Sequence, residues 1–349
     1  MQRSGLGNRL LPAGMILAGI VAVAAVLGFD LLRSRYGLLG EHVPDVSPGY
    51  LLRSAVLFLS LVLIALGVTS GSARGSQHYF WLGSRTEKLL IAAGLSISTF
   101  FAILFLVDPA RFSDWSLEDG PVEWGSVLLL LGGSGVLLAA LAKTGLRNGS
   151  SPLAKVALAL LALVLFVIAM EEVSWFQRQL GLSAPDLFGH NEQGEMNFHN
   201  FATNRVENVY YFGAFIFLLV LPVLRLLFAE VFVDMRTGLV FPKPFVAIIG
   251  ALACAYNFDM WNVAFTQVAF FGACIALFLF ARRSRDQGTR IVVCCALILV
   301  LISQGVFLFN GENYSRLWEV TEYKEFMVPL GFVAYAIGVY QSATDLEVS

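Results

Sequence analysis

The sequence predicts an all-α fold: a polytopic transmembrane helical bundle of about ten spans, both termini cytoplasmic. Three observations carry this. Of 349 residues, 57% are hydrophobic and 14% are charged, where soluble domains carry about 25% charged residues. Apolar runs of about 20 residues, the length that crosses a hydrocarbon core of roughly 30 Å, recur along the whole chain. The connections between them alternate between basic and acidic.

The first run, 11–29, follows Arg3 and Arg9. It is long for a signal sequence, and other spans follow without an intervening soluble domain, so it reads as an uncleaved helix. Further runs lie at 51–70, 89–107, 124–142, 153–172, 209–229, 244–258, 262–281, 291–309 and 325–342. The run at 244–258 is short, and a re-entrant course there would invert the topology after it. The chain is expected to be a single integral membrane domain over 1–349, with a polar outer loop over 171–208 between the fifth and sixth spans.

Orientation follows from lysine and arginine. One set of connections carries Arg74, Arg85 and Lys88; Lys143, Arg147 and Lys155; Arg236 and Lys243; and Arg282, Arg283, Arg285 and Arg290. These are expected to face the cytoplasm. The other set holds Glu41, Asp45, Asp108, Asp114, Glu118, Asp119, Glu123, the stretch 171–207, Asp259, Glu312, Glu319, Glu322 and Glu325, with His42, His190 and His199. Depletion of base explains part of that contrast, and it explains the accumulation of acid and amide less well.

Several function classes lose ground here. Net charge is −2 and no glycine-rich phosphate loop occurs, which argues against nucleic acid. The spans hold almost no ionisable residue at mid-depth and no internal repeat, which argues against ion-coupled transport. Arg53 and Arg225 lie near span ends, where they can snorkel. Cys254, Cys274, Cys294 and Cys295 show neither metal-ligand nor disulfide spacing.

The chemistry gathers in EEVSWFQRQLGLSAPDLFGHNEQGEMNFHN, Glu171 to Asn200. Ser151 and Pro152 start a helix expected to run to Gly181, ~43 Å at 1.5 Å per residue, so that it projects beyond the core. Glu171 and Glu172 then lie at the boundary and need a cation, a proton or hydrogen bonds. Arg178 is two turns on from Glu171, with Ser174 between them, and an interfacial Glu–Arg pair pinning helix register is one reading. A helix resuming near Asn191 would place Asn191, Glu195 and His199 on one face. With Glu171, Glu172 and His190 they form a candidate set for a divalent metal, zinc, iron or manganese. The alternative is that His199 and Asn200 hydrogen-bond loop backbone. Gly120, Pro121 and Glu123 fit an ordinary helix start, as do Glu319, Glu322 and Glu325, although Glu118, Asp119 or Glu123 could face the same outer cavity. Asn257, Asp259 and Asn262 read as turn formers.

Three patterns, Glu118-Asp119-Gly120 with Glu123-Trp124, Glu171-Glu172-x-Ser174-Trp175-x-Gln177-Arg178, and Asn191-x-Gln193-Gly194-Glu195-x-Asn197-x-His199-Asn200, resemble a family of uncharacterised bacterial polytopic inner-membrane proteins. The resemblance covers roughly residues 105–210. It implies a bacterial inner-membrane protein and brings no activity with it. Where the family pattern has Gly this chain has Phe176, and a large ring there narrows access between helix and loop.

The function expected from these residues is a membrane-embedded, metal-dependent enzyme, a hydrolase or transferase, acting on a lipid or lipid-linked substrate at the outer face. Glu171, Glu172, Glu195 and His199 would hold metal or share acid/base work, and Arg178 would bind an anionic headgroup or phosphate. Trp175, Gln177, Asn191 and Asn200 would support them. The alternative is a non-catalytic assembly partner or carrier for envelope or polysaccharide precursors, its polar loop a hydrogen-bonded cap over the bundle.

Overall fold

The structure is a computed structural model describing residues 7–33, 39–72, 79–145, 151–186, 188, 195–234 and 238–348. It is helical throughout its long elements. In chain order these are α1 (Gly7–Arg33), α2 (Pro48–Ser72), α3 (Arg85–Val107), α4 (Pro109–Trp115), α5 (Pro121–Gly145), α6 (Pro152–Glu172), α7 (Gln177–Leu180), α8 (Thr203–Phe215), α9 (Leu221–Leu227), α10 (Ala229–Asp234), α11 (Val246–Ala253), α12 (Ala264–Arg283), α13 (Gln287–Phe309) and α14 (Glu319–Val348). A wide turn, Ile216–Val220, joins α8 to α9.

Among the described residues, nine helical stretches are long and apolar enough to cross a membrane. They correspond to nine of the ten expected runs. The tenth, 244–258, contains only the eight-residue α11 and is buried along its length. It nevertheless runs along most of the length of α14. Its start, Phe245, lies against Gly338, and beyond its end Asp259 accepts a hydrogen bond from Thr321 Oγ1 at 2.7 Å. Gly338 and Thr321 are about 25 Å apart along α14 at 1.5 Å per residue. Walled in by other helices, the segment needs no long lipid-facing helix of its own, because buried irregular backbone is tolerated at membrane depth.

The parity of the bundle is therefore kept. Residues 39–47 meet the turn after α11 through His42 N to Asp259 O (2.9 Å) and Asp45 N to Asn262 Oδ1 (2.6 Å). At the other end, Phe80 bonds both Arg283 O and Arg285 N. One end of the bundle thus collects the acidic connections and the opposite end the basic ones.

A proline shapes what lies between. Pro222 cannot bond the carbonyl of Leu218, and the helix widens there. Gly250 of α11 packs against that carbonyl, where a Cβ would come within 2.8 Å of the oxygen. Near the acidic end, Phe112 stacks on Tyr323 at 3.8 Å and Phe105 on Tyr314 at 4.7 Å. Tyr323 also donates to Phe112 O at 2.8 Å.

Arg53 departs from expectation. It does not snorkel but lies buried, 6% exposed, with Nε and Nη2 on the Asp30 carboxylate and Nη1 on Gln267 Oε1 at 2.9 Å. A guanidinium can stay at that depth because a carboxylate and an amide replace its water. Arg225 is held by the carbonyl of Phe241.

Candidate functional site

The expected continuous helix from Ser151 to Gly181 is broken. α6 stops at Glu172, and Ser174, Trp175 and Phe176 follow with φ of 46, 53 and 61°. Side chains in this left-handed region cost roughly 1–2 kcal/mol each, so neighbouring contacts must impose the turn. Ser174 Oγ donates to Glu195 Oε2 at 2.6 Å, Trp175 Nε1 to Glu171 Oε1 at 2.8 Å, and Met196 N to Gln177 Oε1 at 2.5 Å. The Phe176 ring lies 6.4 Å from that of Trp124. Among the described residues, the only other non-glycine with positive φ is Asp119. All four strained residues belong to one constellation, as expected where surroundings over-determine the backbone.

Its centre is Arg178. Nη1 donates to Glu118 Oε2 at 3.0 Å and to Glu195 Oε1 at 2.8 Å, Nη2 donates to Glu123 Oε1 at 2.7 Å, and Nε lies 3.3 Å from Asp119 Oδ2. Burial disfavours the charged guanidinium, but Glu123, Glu195, Asp119 and Glu118 outweigh it and raise its pKa above the usual value. The carboxylates are themselves tied in: Glu123 Oε2 accepts from Asp119 N (2.7 Å), Asp119 from Gln179 (2.6 Å), and Glu195 Oε2 from Asn197 (3.1 Å). One guanidinium thus joins the three sequence patterns that start at Glu118, Glu171 and Asn191. Glu171, which a straight helix would place on the face of Arg178, is not among its partners. The break after Glu172 turns Arg178 towards α5 instead.

Glu195 and His199 do not share a helical face. Asn197 N bonds Glu195 O at 2.8 Å in a tight turn, Ser174 and Arg178 hold the Glu195 carboxylate, and only a short turn, His199–Phe201, follows. Glu171 is engaged by Trp175 and by Phe198 N at 2.6 Å. His190 and Asn191 lie outside the described residues, and His199 is described in its backbone alone. Among the described residues no three His, Cys, Asp or Glu side chains are grouped to hold a metal ion. Elemental analysis of the purified protein beside His199→Ala decides the metal expectation.

What the site does contain is a cavity of about 780 Å³ at the acidic end, a volume within the usual range for small-molecule sites. α5 contributes Glu123, α6 Glu172, α8 Thr203, Asn204 and Glu207, and α14 Thr321, Glu322 and Glu325. Glu41, Glu118, Arg178, Glu195, Asn197, Asn200 and Arg316 complete the polar wall.

Apart from Glu41, these carboxylates fall into two groups. Glu118, Glu123 and Glu195 are committed to Arg178, and Glu325 Oε1 accepts from Tyr211 at 2.5 Å. The side chains of Glu172, Glu207 and Glu322 make no hydrogen bond among the described residues. Among the described candidate carboxylates from the 171–200 stretch, then, Glu172 is the one without a side-chain hydrogen bond. Glu207 and Glu322 were not singled out for chemistry. No local signal marks them: Glu322 lies in the first turn of α14, where the helix dipole alone accounts for an acid. Glu319 is a helix-start acid as expected, accepting from Ser113 Oγ (2.6 Å), Ser315 N (3.1 Å) and Arg316 N (2.9 Å). No protein-family model matches the chain, and neither a curated protein nor a solved structure matches it.

Proposed function

We propose that this membrane-spanning protein is an enzyme that works by carboxylate acid/base chemistry on the polar headgroup of a lipid or lipid-linked substrate. One observation carries the proposal. A roomy polar cavity lies where the spans end, and Glu172, Glu207 and Glu322 line it with no side-chain hydrogen bond among the described residues. General acid/base work needs such groups, within reach of substrate and not consumed by the scaffold. Arg178 acts in this scheme as a clamp that shapes the wall, not as an anion receptor. The reaction is a hydrolysis or a group transfer, with Glu172 moving the proton. Basic connections at the opposite end support an outward-facing cavity in a bacterial inner membrane. An assembly partner or carrier would account for the Arg178 network, but it assigns no work to the three uncommitted carboxylates.

The test is incubation of the protein in nanodiscs with total bacterial lipid and lipid-linked sugars, followed by mass spectrometry. Wild type should convert one lipid class, and Glu172→Gln should lose that conversion at least a hundredfold while keeping the wild-type unfolding profile. No conversion of any class by folded wild type would overturn the proposal.

A further inference from the structure

Beside the acidic cavity lies a mostly apolar groove of about 640 Å³. It is lined by Val43, Pro44 and Val46, between α1 and α2, by Leu308 and Phe309 at the end of α13, and by Leu317 ahead of α14. The groove is open to the surroundings of the bundle: Phe309 is 85% and Val46 67% exposed. Trp318, 46% exposed, stands beside it as an aromatic of the kind that anchors at the headgroup boundary.

Arg316 lines both the groove and the cavity. Its Nη2 donates to Ser113 O at 3.0 Å and Ser116 Oγ at 2.8 Å, which fixes the side chain, while its Nη1 has no partner among the described residues. Its Nε lies 3.7 Å from Glu319 Oε1, and Glu322 lines the same cavity. Apart from Glu312 in the groove, the wall therefore changes from apolar to cationic to acidic on passing from groove to cavity. A zwitterionic phospholipid presents the complementary groups in the same order: acyl chain, phosphate, ammonium.

We propose that groove and cavity together seat one amine-bearing phospholipid of the phosphatidylethanolamine type. An acyl chain lies between Val46 and Phe309, the phosphate accepts from Arg316 Nη1, and the ammonium faces Glu322. The identification rests on the cavity being a headgroup site, and it names the class of headgroup. Arginine recognises phosphate through its fork of donors, and Arg178 is not available for that role because four carboxylates surround it.

The experiment is native mass spectrometry of the full chain in detergent, titrated separately with phosphatidylethanolamine and with phosphatidylglycerol of the same acyl chains. Wild type should retain phosphatidylethanolamine at least tenfold more tightly. Arg316→Gln should weaken both lipids about tenfold. Val46→Trp, which fills the groove from an exposed position and leaves the core alone, should do the same if Arg316→Gln proves unstable. Equal retention of the two lipids by wild type, or retention unaffected by either substitution, would mean bulk surrounding lipid and overturn the assignment. The two proposals fail separately. Conversion lost in Glu172→Gln without lipid selectivity leaves the enzyme standing, and selective retention without conversion leaves the seat standing.

Discussion

Ser126 on α5 donates its hydroxyl to the carbonyl of Glu325 on α14 at 2.8 Å. Pro329, four residues further on, has no N–H to offer that carbonyl. The contact therefore fills a gap that the proline opens, and it joins α5 to α14 beside the cavity. An unpaired buried carbonyl costs about 1–3 kcal/mol, so Ser126→Ala should destabilise by about 1–2 kcal/mol. Pro329→Ala restores the helical donor, and Ser126→Ala made in that background should cost little. A double-mutant cycle read by unfolding in detergent should show coupling of about 1 kcal/mol; strict additivity would refute the link.

Arg178 is expected to act through stability more than through ligand affinity. Its two most shielded partners, Glu123 and Glu195, have side chains only 10% and 12% exposed, and Arg178→Ala would leave them beside each other without a cation. Discounting the exposed Glu118 and Asp119, the loss should be about 2–4 kcal/mol. Arg178→Lys should recover less than half of it, because an ammonium cannot fork between carboxylates from two separate segments. Unchanged unfolding in both variants would return Arg178 to a role in binding.

Helix number and the separation of acid from base were legible in the sequence, because membrane thickness and water exclusion act on composition directly. The short crossing by α11 was legible only as an ambiguous run: burial by neighbours lets eight helical residues do the work of a full span. The three motif patterns did mark one constellation. Its wiring was hidden, since extrapolating α6 as a straight rod pointed Arg178 at Glu171, and no local signal in Ser174-Trp175-Phe176 announces three left-handed residues. Glu322 reads as an ordinary helix-start acid and Glu207 as the end of the polar loop, because their neighbours in space come from other helices.

Phe176 occupies a left-handed position, φ 61°, where glycine pays no steric cost. Phe176→Gly should gain about 1 kcal/mol from that relief and lose a similar amount from the Trp124 contact, leaving stability within about 1 kcal/mol of wild type. Phe176→Val keeps a β-branched side chain in a region that disfavours it and gives up the ring, so it should destabilise by about 2 kcal/mol. Equal damage from both substitutions would mean that packing, not backbone conformation, governs the position.

The Asp30–Arg53 pair ties the α1–α2 hairpin to α12 through Gln267. Both side chains are about 5% exposed, so each charge depends on the other for solvation. Arg53→Leu alone strands a buried carboxylate and should cost about 3–5 kcal/mol. The double substitution Asp30→Leu with Arg53→Leu removes both desolvation penalties. It should recover most of the loss, with Ser54 Oγ still donating to Gln267 Oε1 at 3.1 Å. Because the hairpin loop reaches the cavity wall at Glu41, the single variant should also increase labelling of a Glu41→Cys reporter by a water-soluble thiol reagent, and the double variant should bring it back towards the wild-type background. If the double variant is as unstable as the single one, the pair is not a mutually solvated unit, and the hairpin must be held by its apolar face on α12.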